Sequence, residues 1–199
     1  MPHERAIHRQ VAHLHAACLD QGFLSTLGPG VLTQLYRAID ESPASSLHVE
    51  ERDGRVVGFV TGSRGMGPIF RQMLRHPFAL AAALAPLLLR PRKILGILEV
   101  LRHGRGQNAG PQEPLPEHEL LSIAVAPEAR GTGVAERLYN ALVGHFRHRG
   151  VAAFRIVVGD ALAPAHRFYR RMGAEPRSRT EVHAGQGSVV YVQDIARAD

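Results

Sequence analysis

The chain has 199 residues, 45% hydrophobic and 21% charged, with a formal net charge of +6. That length can bury a full core within a single domain spanning 1–199, and the composition excludes disordered, collagenous and low-complexity classes. The basic balance calls for an acidic partner, but no Lys/Arg block is long and interleaved with aromatics, which argues against nucleic acid.

Cys18 is the one cysteine, so no intrachain disulfide can form. This fits a reducing compartment and makes a cytoplasmic location the expectation. Its neighbours Ala16, Ala17 and Leu19 predict a buried helical thiol rather than a nucleophile. The N-terminus is polar and His-rich, without the apolar core of a signal peptide. No internal repeat is present.

Weak alternation over Glu4 to Gln10 predicts a first strand. Val11 to Asp20 reads as a helix with Leu14, Ala17 and Cys18 on one face. His3, His8, His13 and His15 lack a zinc spacing supported by an acidic ligand, so they are read as solvated and no metal is expected. Gly22-Phe23-Leu24 and Gly28-Pro29-Gly30 punctuate the chain. Val31 to Ile39 then makes a second helix with Leu32, Leu35, Tyr36 and Ile39 inward. Ser46 to Glu50 and Arg55 to Gly62 form a hairpin around the turn dipeptide Asp53-Gly54, with Gly58 marking a bulge or a close packing contact.

The stretch 65–116 reads as helical pieces, Ile69 to Leu74, Phe78 to Leu89 and Ile94 to Leu101, broken by Pro77, Pro86 and Pro91. The second piece is too short to span a bilayer. Arg71, Arg75, Arg90, Arg92, Lys93, Arg102 and Arg105 surround it. Four readings stay open: a lid over an acceptor, a homodimer surface, an interfacial membrane-binding element, or an insertion that packs on the domain for its own sake. Gly104 to Pro116 reads as a mobile loop.

The most informative stretch follows. Leu120 to Ala126 is an apolar run suited to a buried strand, and Pro127 ends it by removing a ladder donor. After the turn Arg130-Gly131-Thr132-Gly133-Val134-Ala135 comes a helix with Val134, Leu138, Ala141, Leu142 and Val143 as its apolar positions. Gly131 and Gly133 let backbone approach a ligand, and the small Ala135 lets the helix start near the strand. The unpaired N–H groups at that helix start suit a diphosphate. Ala152 to Val158 is a further strand, and Ala163 to Met172 a helix with Pro164 in its first turn and Gly173 as terminator. Glu181 to Ala184 and Ser188 to Ile195 close the chain as a hairpin around Gly185-Gln186-Gly187.

Arg130-x-x-Gly133-x-Ala135, behind a strand ending Val125-Ala126-Pro127, resembles the acetyl-CoA signature of the GCN5-related N-acetyltransferases, the GNAT family. Arg55 to Gly62 resembles that family's third strand, and Ala165-x-x-x-Tyr169-x-x-x-Gly173 its late helix. The resemblance implies an α/β (α+β) fold, a mixed, mostly antiparallel central sheet flanked by helices. The insertion of about 65–116 would lie between the family's third and fourth strands, where the compact family plan has a short loop. It further implies acetyl transfer from acetyl-CoA to a primary amine, by direct attack in a ternary complex. The CoA phosphates would supply the acidic partner.

In that reading Arg130, Gly131, Thr132, Gly133, Val134 and Ala135 bind the diphosphate. Ile123, Ala124 and Val125 hold the pantetheine and the acetyl oxygen with backbone freed where the fourth strand splays from the fifth. Tyr169 stands where the family's phenol protonates the departing sulfur; it also reads as a packing aromatic beside Phe168. Leu162 departs from the asparagine often found there, and Asp160 is a further candidate cofactor contact. Glu119 matches the general base of the histone-acetylating branch, and desolvation at a strand start would raise its pKa toward neutrality; it also reads as a solvated glutamate. Glu117, His118, Ser122 and a water chain are lesser candidates. Val157 replaces the glutamate of the branch that acetylates ribosomal-protein N-termini, which argues against that substrate class. The basic insertion favours a small amine acceptor that is neutral or anionic overall, such as an amino sugar or a lipid-linked precursor. Non-catalytic CoA sensing and membrane-surface interaction are the alternatives.

Overall fold

Asp53 and Gly54 both adopt positive φ, 52° and 73°, the backbone of a tight two-residue hairpin turn. They join the first two strands of the computed structural model, which describes residues 2–19, 28–88, 115–183 and 186–195. In chain order the elements are helices α1 (Pro2–Cys18) and α2 (Gly28–Glu41), strands β1 (Ser45–Arg52) and β2 (Arg55–Ser63), and helices α3 (Gly67–Met73) and α4 (Pro77–Leu88). Strand β3 (Glu119–Val125) follows, then a 3-10 turn at Pro127–Ala129, helix α5 (Val134–His148), strand β4 (Ala153–Gly159), helix α6 (Ala163–Arg171) and strands β5 (Glu175–His183) and β6 (Gln186–Asp194). The strands form one sheet in the order β1-β2-β3-β4-β6-β5. Every neighbouring pair is antiparallel except β3 with β4.

The N-terminal strand expected over Glu4 to Gln10 is helix. The stripe that α1 buries is His8, Val11, Ala12 and His15, a three-and-four spacing. Two of its four members are histidines, which an apolar count passes over. They are not solvated. His8 Nε2 meets Asp40 Oδ2 at 2.8 Å and His15 Nδ1 meets the Tyr36 hydroxyl at 2.5 Å. Leu14 and Cys18 are half-buried and Ala17 is exposed, so the face expected for this helix is rotated. With no strand at the N-terminus, the insertion lies between the second and third strands of the described sheet.

Two cores sit on the two faces of the sheet. On one, α1, α2 and α3 bring Val11, Leu32, Leu35, Tyr36, Ile39 and Ile69 against Val56, Phe59 and Ala124. On the other, Val134, Leu138, Tyr139, Leu142 and Phe146 of α5 pack with Val60, Leu120, Phe154, Ile156 and Tyr191. Tyr139 and Phe146 supply the buried side of α5 in place of the expected Ala141, which is exposed. Gly58 and Gly62 let α5 lie on β2: a Cβ at Gly62 would meet Leu142 and Phe146 at 2.6 Å, and one at Gly58 would meet Val134 at 2.8 Å.

Pro77 begins α4, but Pro86 lies within that helix rather than breaking it. The closing hairpin is longer than expected, because β5 starts at Glu175. Asp20, Gly22-Phe23-Leu24, Ile94 to Leu101, residues 104–114 and the turn at Ala184-Gly185 lie outside the described residues.

Candidate active site

The sheet opens in its middle. β3 and β4 pair at Glu119 with Arg155 and at Leu120 with Ile156, and no further, while β3 stays paired with β2 through Val125. Beyond Leu120 the β4 side of β3 faces a cleft of about 700 Å³. Its walls are Ile123, Ala124 and Val125 of β3, Cys18 and Leu19 at the end of α1, the Arg130–Ala135 turn, and Leu162, Pro164, Ala165, Arg167, Phe168, Tyr169 and Arg171 around α6.

The turn at the cleft has a backbone that its sequence requires. Gly131 and Gly133 adopt φ of 73° and 77°, the left-handed region that costs a side-chain-bearing residue energy. Gly133 caps α5 without any side-chain hydrogen bond. The first N–H groups of α5 are therefore left for an external acceptor, at the positive end of the helix dipole. The turn is braced from behind. Thr132 Oγ1 donates to the Ala129 carbonyl at 2.7 Å and accepts from Arg52 at 2.8 Å. Arg137 donates to the Thr132 carbonyl at 3.2 Å and pairs with Glu50 at 2.6 Å. Arg130 turns back on β3, its Nε donating to the Val125 carbonyl at 3.2 Å.

The opposite wall is set by α6. His166 Nε2 lies 3.1 Å from the Gly159 carbonyl and Nδ1 lies 2.8 Å from the Tyr191 hydroxyl. A carbonyl only accepts, so Nε2 carries a proton and donates to Gly159, and Nδ1 exchanges a hydrogen bond with the Tyr191 hydroxyl. This pins α6 to β4 and β6. One helical step on, Tyr169 sits in a nest of rings from Tyr139, Phe168 and Tyr191. It is 5% exposed, and its hydroxyl has no hydrogen-bond partner among the described residues. Burial raises its phenol above the ordinary value of 10, because the desolvated phenolate is disfavoured. Tyr169 therefore keeps its proton across the neutral range.

Ile123, Ala124, Val125, Arg130, Gly131, Gly133, Val134, Ala135 and Tyr169 thus meet on one cleft. Thr132, which faces its own brace, and Glu119 do not line it. Glu119 lies at the last rung before the strands part, its carboxylate held by Arg155 Nε and Nη2 at 2.9 and 2.8 Å. It is an ion-paired group rather than a solvated one. Asp160 is taken up by Arg179 at 2.6 Å and is not on the cleft either. Cys18 is half-buried, packed against the α1–α3 core and also on the cleft wall, its Sγ 3.8 Å from both the Val125 carbonyl and Arg130. Sequence reasoning missed Leu19, Ala129, Glu136, Pro164, Arg167 and Arg171 among the cleft residues. The α6 set could have been found from Tyr169 by helical spacing, whereas the end of α1 arrives only through tertiary packing.

Residues 13–174 match the acetyltransferase (GNAT) family. The chain belongs to this family. No curated protein matches it. Solved structures similar in fold include a GNAT-family acetyltransferase from Desulfovibrio desulfuricans, at 15% identity over 98% of this chain and 94% of that one, with a TM-score of 0.57. An aminoglycoside 6'-N-acetyltransferase complexed with coenzyme A gives a TM-score of 0.60 at 11% identity, covering 96% and 91% of the two chains. The ribosomal-protein-S18-alanine N-acetyltransferase of Escherichia coli gives 0.50 at 14% identity, covering 84% and 79%. At these identities the likeness is one of fold. Among the described residues no cluster of candidate metal ligands is present and no helix is long and apolar enough to cross a membrane.

Proposed function

We propose that this GNAT protein transfers an acetyl group from acetyl-CoA to a primary amine. The observation that carries the reading is the cleft between β3 and β4, with uncapped α5 N–H groups at one end and a buried, protonated tyrosine on its wall. Acetyl-CoA supplies the activated acyl group. The turn from Arg130 to Ala135 holds its diphosphate, and the edge of β3 from Ile123 to Val125, which β4 leaves, holds the pantetheine and polarises the thioester carbonyl through its N–H groups. The amine attacks the carbonyl carbon in a ternary complex, the C–S bond breaks, and Tyr169 gives its proton to the departing sulfur. Glu119, off the cleft wall, takes the amine proton through a water and gives up its ion pair with Arg155; passing that proton on through solvent to Tyr169 restores the phenol and the pair. Products are an amide and the free CoA thiol.

The acceptor in this reading is a small amine, neutral or anionic overall, such as an amino sugar or a lipid-linked precursor. The net charge of +6 favours it over a polycation. Leu162, at 41% exposure on the cleft wall, offers no polar contact to the cofactor, so the phenol carries the leaving-group chemistry alone.

Calorimetric titration with acetyl-CoA on the wild type and on Gly133→Glu tests the site. Micromolar binding that the variant abolishes supports it, and no binding by the wild type would end it. Tyr169→Phe should then lower the rate by about 10²-fold or more while leaving acetyl-CoA affinity unchanged, and Glu119→Gln should lower the rate too. Binding without turnover across a panel of amines would favour a CoA sensor on the same fold.

A further inference from the structure

The insertion is half anchored and half bare. Its anchored side is α3, where Ile69 is fully buried and Gln72 and His76 each reach Glu41 of α2 at 3.0 Å. Its bare side runs the other way. Phe70, Leu74 and Phe78, at sequence steps of four, are 46%, 66% and 90% exposed, and Leu84 is 37% exposed. Helix α4 reads Pro-Phe-Ala-Leu-Ala-Ala-Ala-Leu-Ala-Pro-Leu-Leu, without one charged or hydrogen-bonding side chain. None of its residues from 77 to 85 is buried. It touches the domain through small residues: a methyl in place of the Gly30 hydrogen would lie 3.7 Å from Ala83.

Scattered exposed apolar side chains are ordinary, but here four of them fall between residues 70 and 84, and a bare apolar helix implies a cover. The charge beside them says which. Arg71 and Arg75, each one residue past an exposed Phe70 or Leu74, are exposed and have no carboxylate partner among the described residues. Three more cations, Arg90, Arg92 and Lys93, follow α4 at once in sequence. Apolar side chains beside arginines that lack a carboxylate partner, Arg75 reaching only Gln72 Oε1 at 3.0 Å, on a chain of net charge +6, match the boundary between acyl chains and anionic headgroups. A hydrophobic partner protein would leave those guanidinium groups desolvated and unpaired. Helix α4, with 12 residues, rises about 18 Å and cannot cross a hydrocarbon core of about 30 Å, so it lies along the surface.

We infer that α3 and α4 form a docking face for an anionic lipid membrane, with Leu74 and Phe78 entering the headgroup boundary and Arg71 and Arg75 pairing with lipid phosphates. This face is distinct from the transfer site, so its test needs no turnover.

Co-sedimentation with vesicles of phosphatidylcholine, with and without phosphatidylglycerol, reads it directly. The wild type should pellet with the phosphatidylglycerol vesicles and be released by raised salt. Leu74→Glu with Phe78→Glu should abolish pelleting, and Arg71→Ala with Arg75→Ala should weaken it by roughly fivefold per residue. These side chains are exposed, so the variants should retain acetyl-CoA binding by calorimetry if that site is as proposed, and retain their circular dichroism spectrum in any case. Absence of pelleting by the wild type would overturn the inference. So would equal, salt-insensitive binding to both vesicle types, or a concentration-dependent dimer in light scattering that Phe78→Glu dissolves, which would assign the face to a second copy of the chain.

Discussion

His15 shows how much a single residue contributes to this fold. It is 3% exposed, accepts the Tyr36 hydroxyl at Nδ1 and stacks near Phe59. A run of hydroxyls continues from it: Tyr36 lies 3.4 Å from Ser122 Oγ, which lies 2.8 Å from Thr61 Oγ1. Run from Thr61 to Ser122 to Tyr36 to His15, the donors end on an accepting Nδ1, which is the order a neutral imidazole allows. Burial pushes the His15 pKa from 6.5 down to about 4. The unfolded chain binds this proton more readily, so stability is untouched above about pH 6.5 and falls as pH drops toward 4. The loss, at 1.4 kcal/mol per unit, is about 3 kcal/mol. Urea unfolding at pH 7 and pH 4.5 should therefore show a midpoint drop that His15→Phe reduces, while His13→Phe, at an exposed position, leaves it unchanged.

Elements were legible where local chemistry alone decides them. The Asp53-Gly54 hairpin, the Gly131–Gly133 turn and Gly173 beyond α6 have a left-handed backbone that those residue types favour, and Pro164 sits in the first turn of α6, where its missing N–H costs nothing. The start of the chain misled for the opposite reason. The buried stripe of α1 is half histidine, and what makes His8 apt for burial is Asp40, distant in sequence. The same limit applies to the site. Ile123 to Val125 and the glycine turn are contiguous and could be read in order, whereas Cys18 and Leu19 reach the cleft only because α1 packs on the sheet. Glu119 could be picked by spacing, but its partner Arg155 is set by strand register.

The insertion has its own elemental dependence, on Glu41 at the end of α2. Burial acts to raise the Glu41 pKa, yet hydrogen bonds from Arg37, Gln72 and His76 outweigh it and bring the group down to about 2. This anchor is fully present above about pH 4.5 and is lost as pH falls toward 2. Glu41→Gln should loosen α3 and α4 at neutral pH, seen as faster hydrogen exchange over 67–85, with the exchange of α5 and β4 unchanged. Uniform acceleration throughout the chain would show instead that the insertion and domain unfold as one unit.

At the scale of the molecule, the cleft gathers its walls from α1, β3, α5 and α6, so a ligand there holds together segments remote in sequence. Acetyl-CoA at a hundred times its dissociation constant should stabilise the native state by about 2.7 kcal/mol. A thermal shift that rises with ligand and vanishes in Gly133→Glu would register it. An unchanged melting temperature at saturating acetyl-CoA would contradict the proposed site.

The two rungs between β3 and β4 have a mechanical consequence. They are all that stitches β1–β3 to β4–β6 within the sheet, a seam with little resistance to shear. Helix α5 is laid across it as a splint. Its Val134 and Leu138 bear on Gly58 of β2, while Phe146 reaches both Gly62 and the ring of Phe154 in β4, 5.2 Å away. The helix whose first turn is proposed to receive the diphosphate is thus also the beam that sets the spacing of the two half-sheets. A pull at its N-terminus is felt on both sides of the opening at once.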